Sequence, residues 1–96
     1  MADRTTGVFG ISVAAEMLSM QIQNLRVYER HGLVDPARTA GGTRLYSHDD
    51  LDVLARIRDL LGEGLNLAGI ARVLALEAEV VRLTGVNHRL RQRRDP

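Results

Sequence analysis

Helical spacing dominates the chain, interrupted once by a patch of strand-like alternation. In "ISVAAEMLS", residues 11–19, Val13 and Met17, then Ala14 and Leu18, recur four apart, which predicts a short helix with Ser12 as its N-cap. The pattern breaks at Ser19-Met20 and resumes in "QIQNLRVYERHG". There Ile22, Leu25 and Tyr28 step along an apolar face, and Gln23, Arg26 and Arg30 along a polar one. Gly32 supplies the stop. Two short helices around a tight turn, the second polar on one side, make a helix-turn-helix candidate.

The period then changes. In "LVDPARTAGGTRLYS", Leu33-Val34 can begin a strand, Asp35-Pro36 turns the chain, and Gly41-Gly42 suits a hairpin tip. Thr43-Arg44-Leu45-Tyr46 returns with Leu45 facing in and Arg44 out, so a small wing is expected. "SHDDLDVLARIRDLLGEG" is helical again, with Ser47 as cap and Asp50 at the third position of a capping box. Leu51, Leu54, Ile57 and Leu61 form its apolar stripe, Asp52, Arg56, Asp59 and Glu63 its solvent stripe, and Gly62 and Gly64 its end.

From Asn66 a last helix runs without proline until the final residue. Val73, Leu76, Val80, Leu83, Asn87 and Leu90 fall at spacings of 3,4,3,4,3, the a and d positions of a short heptad pattern with Asn87 at a. Gly85 interrupts it, and the same stripe also fits a helix folded back on its own domain. The fold expected is mainly α: a winged helix-turn-helix with a small β-hairpin wing and a C-terminal dimerisation helix. The divisions are a flexible leader at 1–10, a DNA-binding domain at 11–76, the dimerisation helix at 77–92 and a basic tail at 93–96.

Composition narrows this picture. With 96 residues, one Phe, two Tyr and no Trp, the core must be aliphatic and small, and self-association is expected. The absence of cysteine removes disulfides, thiolate metal sites and cysteine nucleophiles. No stretch approaches the roughly 18 apolar residues that span a bilayer, so a cytoplasmic protein of the nucleoid, without membrane contact, is expected. Net charge is only +1, but residues 1–46 carry five Arg against four acids, 47–79 three against seven, and 80–96 five against one. All 13 basic residues are arginine, a bias that a GC-rich genome also produces. Guanidinium forks nonetheless suit phosphates and guanine edges.

Position gives the arginines work. Gln23, Asn24, Arg26 and Arg30 can reach base edges or phosphates from the second helix, while Arg38 and Arg44 flank the wing tip and can hold the DNA backbone. At these residues the chain resembles the DNA-binding domain of MerR-type transcription regulators. The motifs are Leu25-Arg26-Val27-Tyr28-Glu29, Gly32-Leu33, Arg38 and Gly42-Thr43-Arg44-Leu45-Tyr46. "ISVAAE", "ARTAGGTRLYS" and "EGLNLAGI" are similar to the heat-shock repressor (HspR-like) branch. The resemblance covers residues 11–76. It implies a homodimer on inverted repeats of double-stranded DNA, with the second helix in the major groove and the wing on the backbone. It also implies that Arg26, Tyr28, Arg44 and Tyr46 lie near DNA, and Thr43 joins that set beside Arg44. For the branch it implies repression of chaperone operons, with the DnaK chaperone as co-repressor. Two positions depart from the pattern: Val27 replaces the usual first Tyr, and Gln21 stands where Ser or Thr often caps the recognition helix.

Tyr28 and Tyr46 have a second reading as core residues, and a ring inside with its hydroxyl out satisfies both. His31, His48 and His88 share no metal-ligand spacing, and Asp49, Asp50 and Asp52 suit a helix start better than a metal. "GEGLNLAG" fails the dinucleotide-loop pattern, because Leu67 stands at its third glycine position. With no nucleophile-base set either, no enzyme, metal or cofactor is expected. Two other classes remain open. One is an architectural winged-helix factor, excisionase-like or a developmental regulator, on direct repeats. The other is a protein-interaction module in which the heptads matter and the arginines do not.

Overall fold

The computed structural model describes residues 3–94. The chain divides into one unit ending at Gly64 and a second starting at Leu65. In the first, α1 (Ile11–Met17) and α2 (Ile22–Arg30) are joined by a turn in which Ser19 takes a left-handed φ of 53°. Ala14, Ala15, Leu18, Leu25 and Tyr28 bury one side of this pair, whereas Ile22 is 37% exposed and lies at the margin. The N-cap of α1 is Gly10, not Ser12, and no side chain caps it. The reason lies upstream: the Phe9 carbonyl accepts from the Tyr46 amide at 2.7 Å, and the helix starts directly after that anchored residue. Gln21 caps α2 by backbone alone, as the departure at that position implies. At its other end Gly32, φ 73°, closes a Schellman motif: its amide donates to Glu29 O at 2.9 Å and that of Leu33 to Tyr28 O at 3.0 Å.

The wing is a two-stranded antiparallel hairpin, β1 (Ala37–Arg38) and β2 (Arg44–Leu45), with Ala37 opposite Leu45 and Arg38 opposite Arg44. Leu33-Val34, expected to begin a strand, stays outside the ladder; Val34 and Pro36 are buried instead, and pairing starts only beyond the proline. The tip closes through Thr39 N to Thr43 O and Gly42 N to Thr39 O, both 2.9 Å, with Gly42 at φ 87°.

Residues 3–9 do not form the loose leader expected of them. The Val8 and Phe9 amides both donate to Tyr46 O at 3.0 Å, and Phe9 pairs with Tyr46 in an antiparallel bridge. Phe9 also meets the His48 ring edge-on at a centroid distance of 5.0 Å. Arg4 Nε donates to Asp49 at 3.0 Å, its Nη2 pairs with Asp52, and its carbonyl accepts from the Asp49 amide. These contacts strap the segment along β2 and the start of the next helix.

That helix, α3 (His48–Gly62), begins with the expected capping box: Asp50 N donates to Ser47 Oγ at 3.0 Å, and Ser47 N to Asp50 Oδ2 at 2.9 Å. Its buried residues are Leu51, Leu54, Ile57 and Leu60, with Leu61 37% exposed. Steps of three drift round a helix by about 60° each, so the buried side rotates along α3 and ends one residue earlier than expected. Arg58 Nη1 donates to Leu18 O at 2.8 Å, tying α3 to the end of α1.

The second unit is α4 (Leu67–Arg94), preceded by Asn66, whose side chain accepts from the Gly69 amide at 2.8 Å. It runs unbroken through residue 76, so the boundary falls at Gly64, where φ is 92°, and not between 76 and 77. Residues 95 and 96 of the basic tail lie outside the described residues.

Candidate nucleic-acid interface

α2 presents Gln23, Asn24, Arg26 and Arg30, all four exposed. Gln23, Arg26 and Arg30 follow one another at spacings of three and four, so they share a face. Among the described residues, neither Arg26 nor Arg30 has an ion-pair partner.

The wing arginines are arranged differently. Arg38 and Arg44 sit directly opposite each other across the hairpin, where like charges repel. Glu29, on α2, lies between them. Arg38 Nη2 pairs with Glu29 Oε1 at 2.6 Å and Arg44 Nε with Glu29 Oε2 at 2.5 Å. Arg38 Nη1 also donates to Gly42 O at 3.0 Å, holding the tip. Burial pushes the Glu29 carboxyl up, but Arg44 and Arg38 more than offset it and hold it below its ordinary value. Sequence reasoning placed Glu29 in a motif and gave it no role; the available signal was one acid flanked by arginines on a helix leading into a wing. The leader's part was missed as well, although Phe9 stood out as the chain's one phenylalanine.

Thr43 is exposed beside Arg44, and its amide donates to Thr39 Oγ1 at 3.1 Å. The tyrosines belong to the core. Tyr28 is 5% exposed and Tyr46 0%. The Tyr46 hydroxyl is itself buried and has no hydrogen-bond partner, which corrects the expectation that it could point outward to a phosphate. Burial first, then the Glu29 charge, raise its pKa above the usual phenol value. On α4, Leu76, Val80, Leu83 and Leu90 are exposed, as is Asn87, and Val73 is half-buried.

A helix-turn-helix whose second helix is open to solvent, followed by a small hairpin tied to it, defines a winged helix-turn-helix protein. A model of the MerR HTH family regulatory proteins matches residues 9–77, and the chain belongs to that family. It is 48% identical over 79 residues to the heat shock protein HspR of Streptomyces coelicolor, covering 81% of this chain and 52% of that protein. It is 42% identical over 74 residues to the HTH-type transcriptional regulator GlnR of Bacillus anthracis, covering 77% of this chain and 57% of that one. The chain therefore spans about half the length of the curated relatives it matches. Among solved structures, HiNmlR, a MerR family regulator lacking the sensor domain and bound to promoter DNA, superposes with a TM-score of 0.68 at 26% identity, covering 88% of this chain and 63% of that one.

Proposed function

We propose that the chain is a sequence-specific DNA-binding transcriptional regulator, a repressor of heat-shock and chaperone genes that acts as a dimer on inverted repeats. The observation that carries this reading is the exposed Gln23, Arg26 and Arg30 face of α2, with its arginines unpaired among the described residues, beside a hairpin bearing Arg38 and Arg44. Base edges are read from such a helix, and phosphates on either side are held by such a wing. The similarity to HspR supports the heat-shock assignment, and the promoter DNA bound by HiNmlR supports duplex DNA as the ligand. Dimerisation is supported by α4, where Val73, Leu76, Val80 and Val81 line an open apolar groove of about 380 Å³. Exposed apolar patches of this kind mark association surfaces. The DnaK chaperone is the co-repressor in this reading, on the strength of the HspR resemblance.

The test is selection of genomic fragments with the purified protein, then footprinting of the best site with and without DnaK. A protected inverted repeat upstream of chaperone genes, tightened by DnaK, is the expected result. Protection of tandem direct repeats, indifferent to DnaK, replaces this reading with that of an architectural factor.

A further inference from the structure

Between the recognition helix and the wing there is one side-chain connection with an electrostatic purpose. Arg38 and Arg44 face each other in register, and their guanidiniums are brought together by the Glu29 carboxylate, one oxygen to each. Glu29's side chain is 19% exposed and that of Arg44 27%, so the group is partly withdrawn from water and screened less than a surface pair. The carboxylate stands on the last turn of α2, one residue before Arg30 and three after Arg26. It therefore fixes the hairpin relative to the very turn that carries the exposed arginines. It also leaves the three-charge group with a net charge of one, where the two arginines alone would carry two.

We propose that Glu29 is a positioning residue for DNA recognition: it sets the wing's distance from the α2 reading face and restrains the wing arginines from indiscriminate phosphate binding. This rests on the DNA-binding reading above. On cognate DNA, the wing arginines meet phosphates from the position Glu29 gives them, so contacts at the two elements are made together. On other sequences the same arginines stay engaged with Glu29, and the wing contributes little. Glu29 touches no base in this scheme and acts only through Arg38 and Arg44.

Two variants test it, each read in the free protein and on DNA. Glu29→Gln removes the charge and keeps the size; Glu29→Asp keeps the charge but is one methylene too short to serve both arginines. In the free protein, amide exchange at Thr39, which donates to Thr43 O across the tip, should speed up in both variants while the α3 amides stay protected. On DNA, Glu29→Gln adds one net positive charge, so the slope of log K against log salt should steepen by about 0.9. Glu29→Asp should leave that slope unchanged. In both, the ratio of specific to non-specific affinity should fall on the order of tenfold, the scale of one lost base contact. Wild-type exchange at Thr39 in both variants overturns the clamp. A ratio unchanged in both, with faster exchange, overturns its role in recognition. Should the unsubstituted protein prefer no duplex at all, the DNA-binding reading falls by itself, the recognition role falls with it, and Thr39 exchange still decides the clamp.

Discussion

Replacing Tyr46 by Phe removes one oxygen from the best-buried aromatic side chain of the protein. The ring is 0% exposed and its hydroxyl has no partner, so the folded state carries the desolvation of a phenol without a compensating bond. A buried unsatisfied group costs about 1–3 kcal/mol. Deleting the oxygen leaves a small void that loses some dispersion contacts, and the net expectation is stabilisation of about 1 kcal/mol. For a domain of this size that raises Tm by roughly 4–8 °C. The assay is urea unfolding followed by circular dichroism, at equal protein concentrations because any association shifts the midpoint. An alkaline series sharpens it. The raised pKa of Tyr46 means the folded state favours the neutral phenol. Its contribution is therefore fully present below the ordinary value of 10.0 and lost as pH rises through the raised folded value. The Phe variant should lose that limb and retain the one from Tyr28, whose pKa burial also raises. Destabilisation of the Phe variant by about 1 kcal/mol or more would show that the hydroxyl has a partner, and the unsatisfied-phenol argument would be refuted. A tenfold loss of DNA affinity with stability intact would place that partner on DNA.

Other expectations follow from single contacts. A Cβ on Gly7 would lie 2.6 Å from Leu45 O and 2.9 Å from Leu45 Cβ, so Gly7→Ala should detach the leader at a cost of about 1–3 kcal/mol, read as faster exchange of the Val8 and Phe9 amides. Because the two arginines hold the Glu29 carboxyl below its ordinary 4.5, its contribution to stability is present above that value and lost as pH falls through the lowered one; an acid titration should show this loss, and Glu29→Gln should lack it. Arg26→Ala should weaken binding to the selected site by ~1–3 kcal/mol while random duplex loses far less, if Arg26 reads a base. Leu83 is 46% exposed, so Leu83→Asp should leave the monomer folded and abolish a dimer in sedimentation; an unchanged sedimentation coefficient would remove α4's apolar face from the interface.

Elements governed by local chemistry were legible in the sequence. The capping box at Ser47 and Asp50, the stop at Gly32 and the hairpin tip at Gly42 depend on a few neighbouring residues, and each stands as the sequence implies. What depends on distant partners was harder to see. Ser12 looked like a cap because the pairing of Phe9 with Tyr46, which sets the start of α1, is a contact across 37 residues. The three-residue steps of α3 gave the right stripe but not its rotation from Leu61 to Leu60. Glu29 and Tyr46 show the same limit at the candidate site. An acid in a helix reads as solvated surface, and a tyrosine in a wing reads as half-exposed, until the hairpin folds over both.

The low net charge finds its explanation in where the acids are engaged. Asp50 closes the α3 cap, Asp49 and Asp52 hold Arg4, and Glu29 holds Arg38 and Arg44. These pairs are internal to the folded unit and cancel little of the field elsewhere on it. Arg26 and Arg30 carry no such counter-charge among the described residues, so the exposed side of α2 is cationic in a chain whose total is +1. A surface built this way needs no surplus of basic residues to attract a polyanion, since attraction depends on local potential and falls off within about 8 Å at physiological salt. It also keeps non-specific binding weak, because only a few cations are offered to any duplex. A sequence-reading protein of this size is better served by few, well-placed guanidiniums than by a uniformly basic surface, and Glu29 governs whether the wing adds two more.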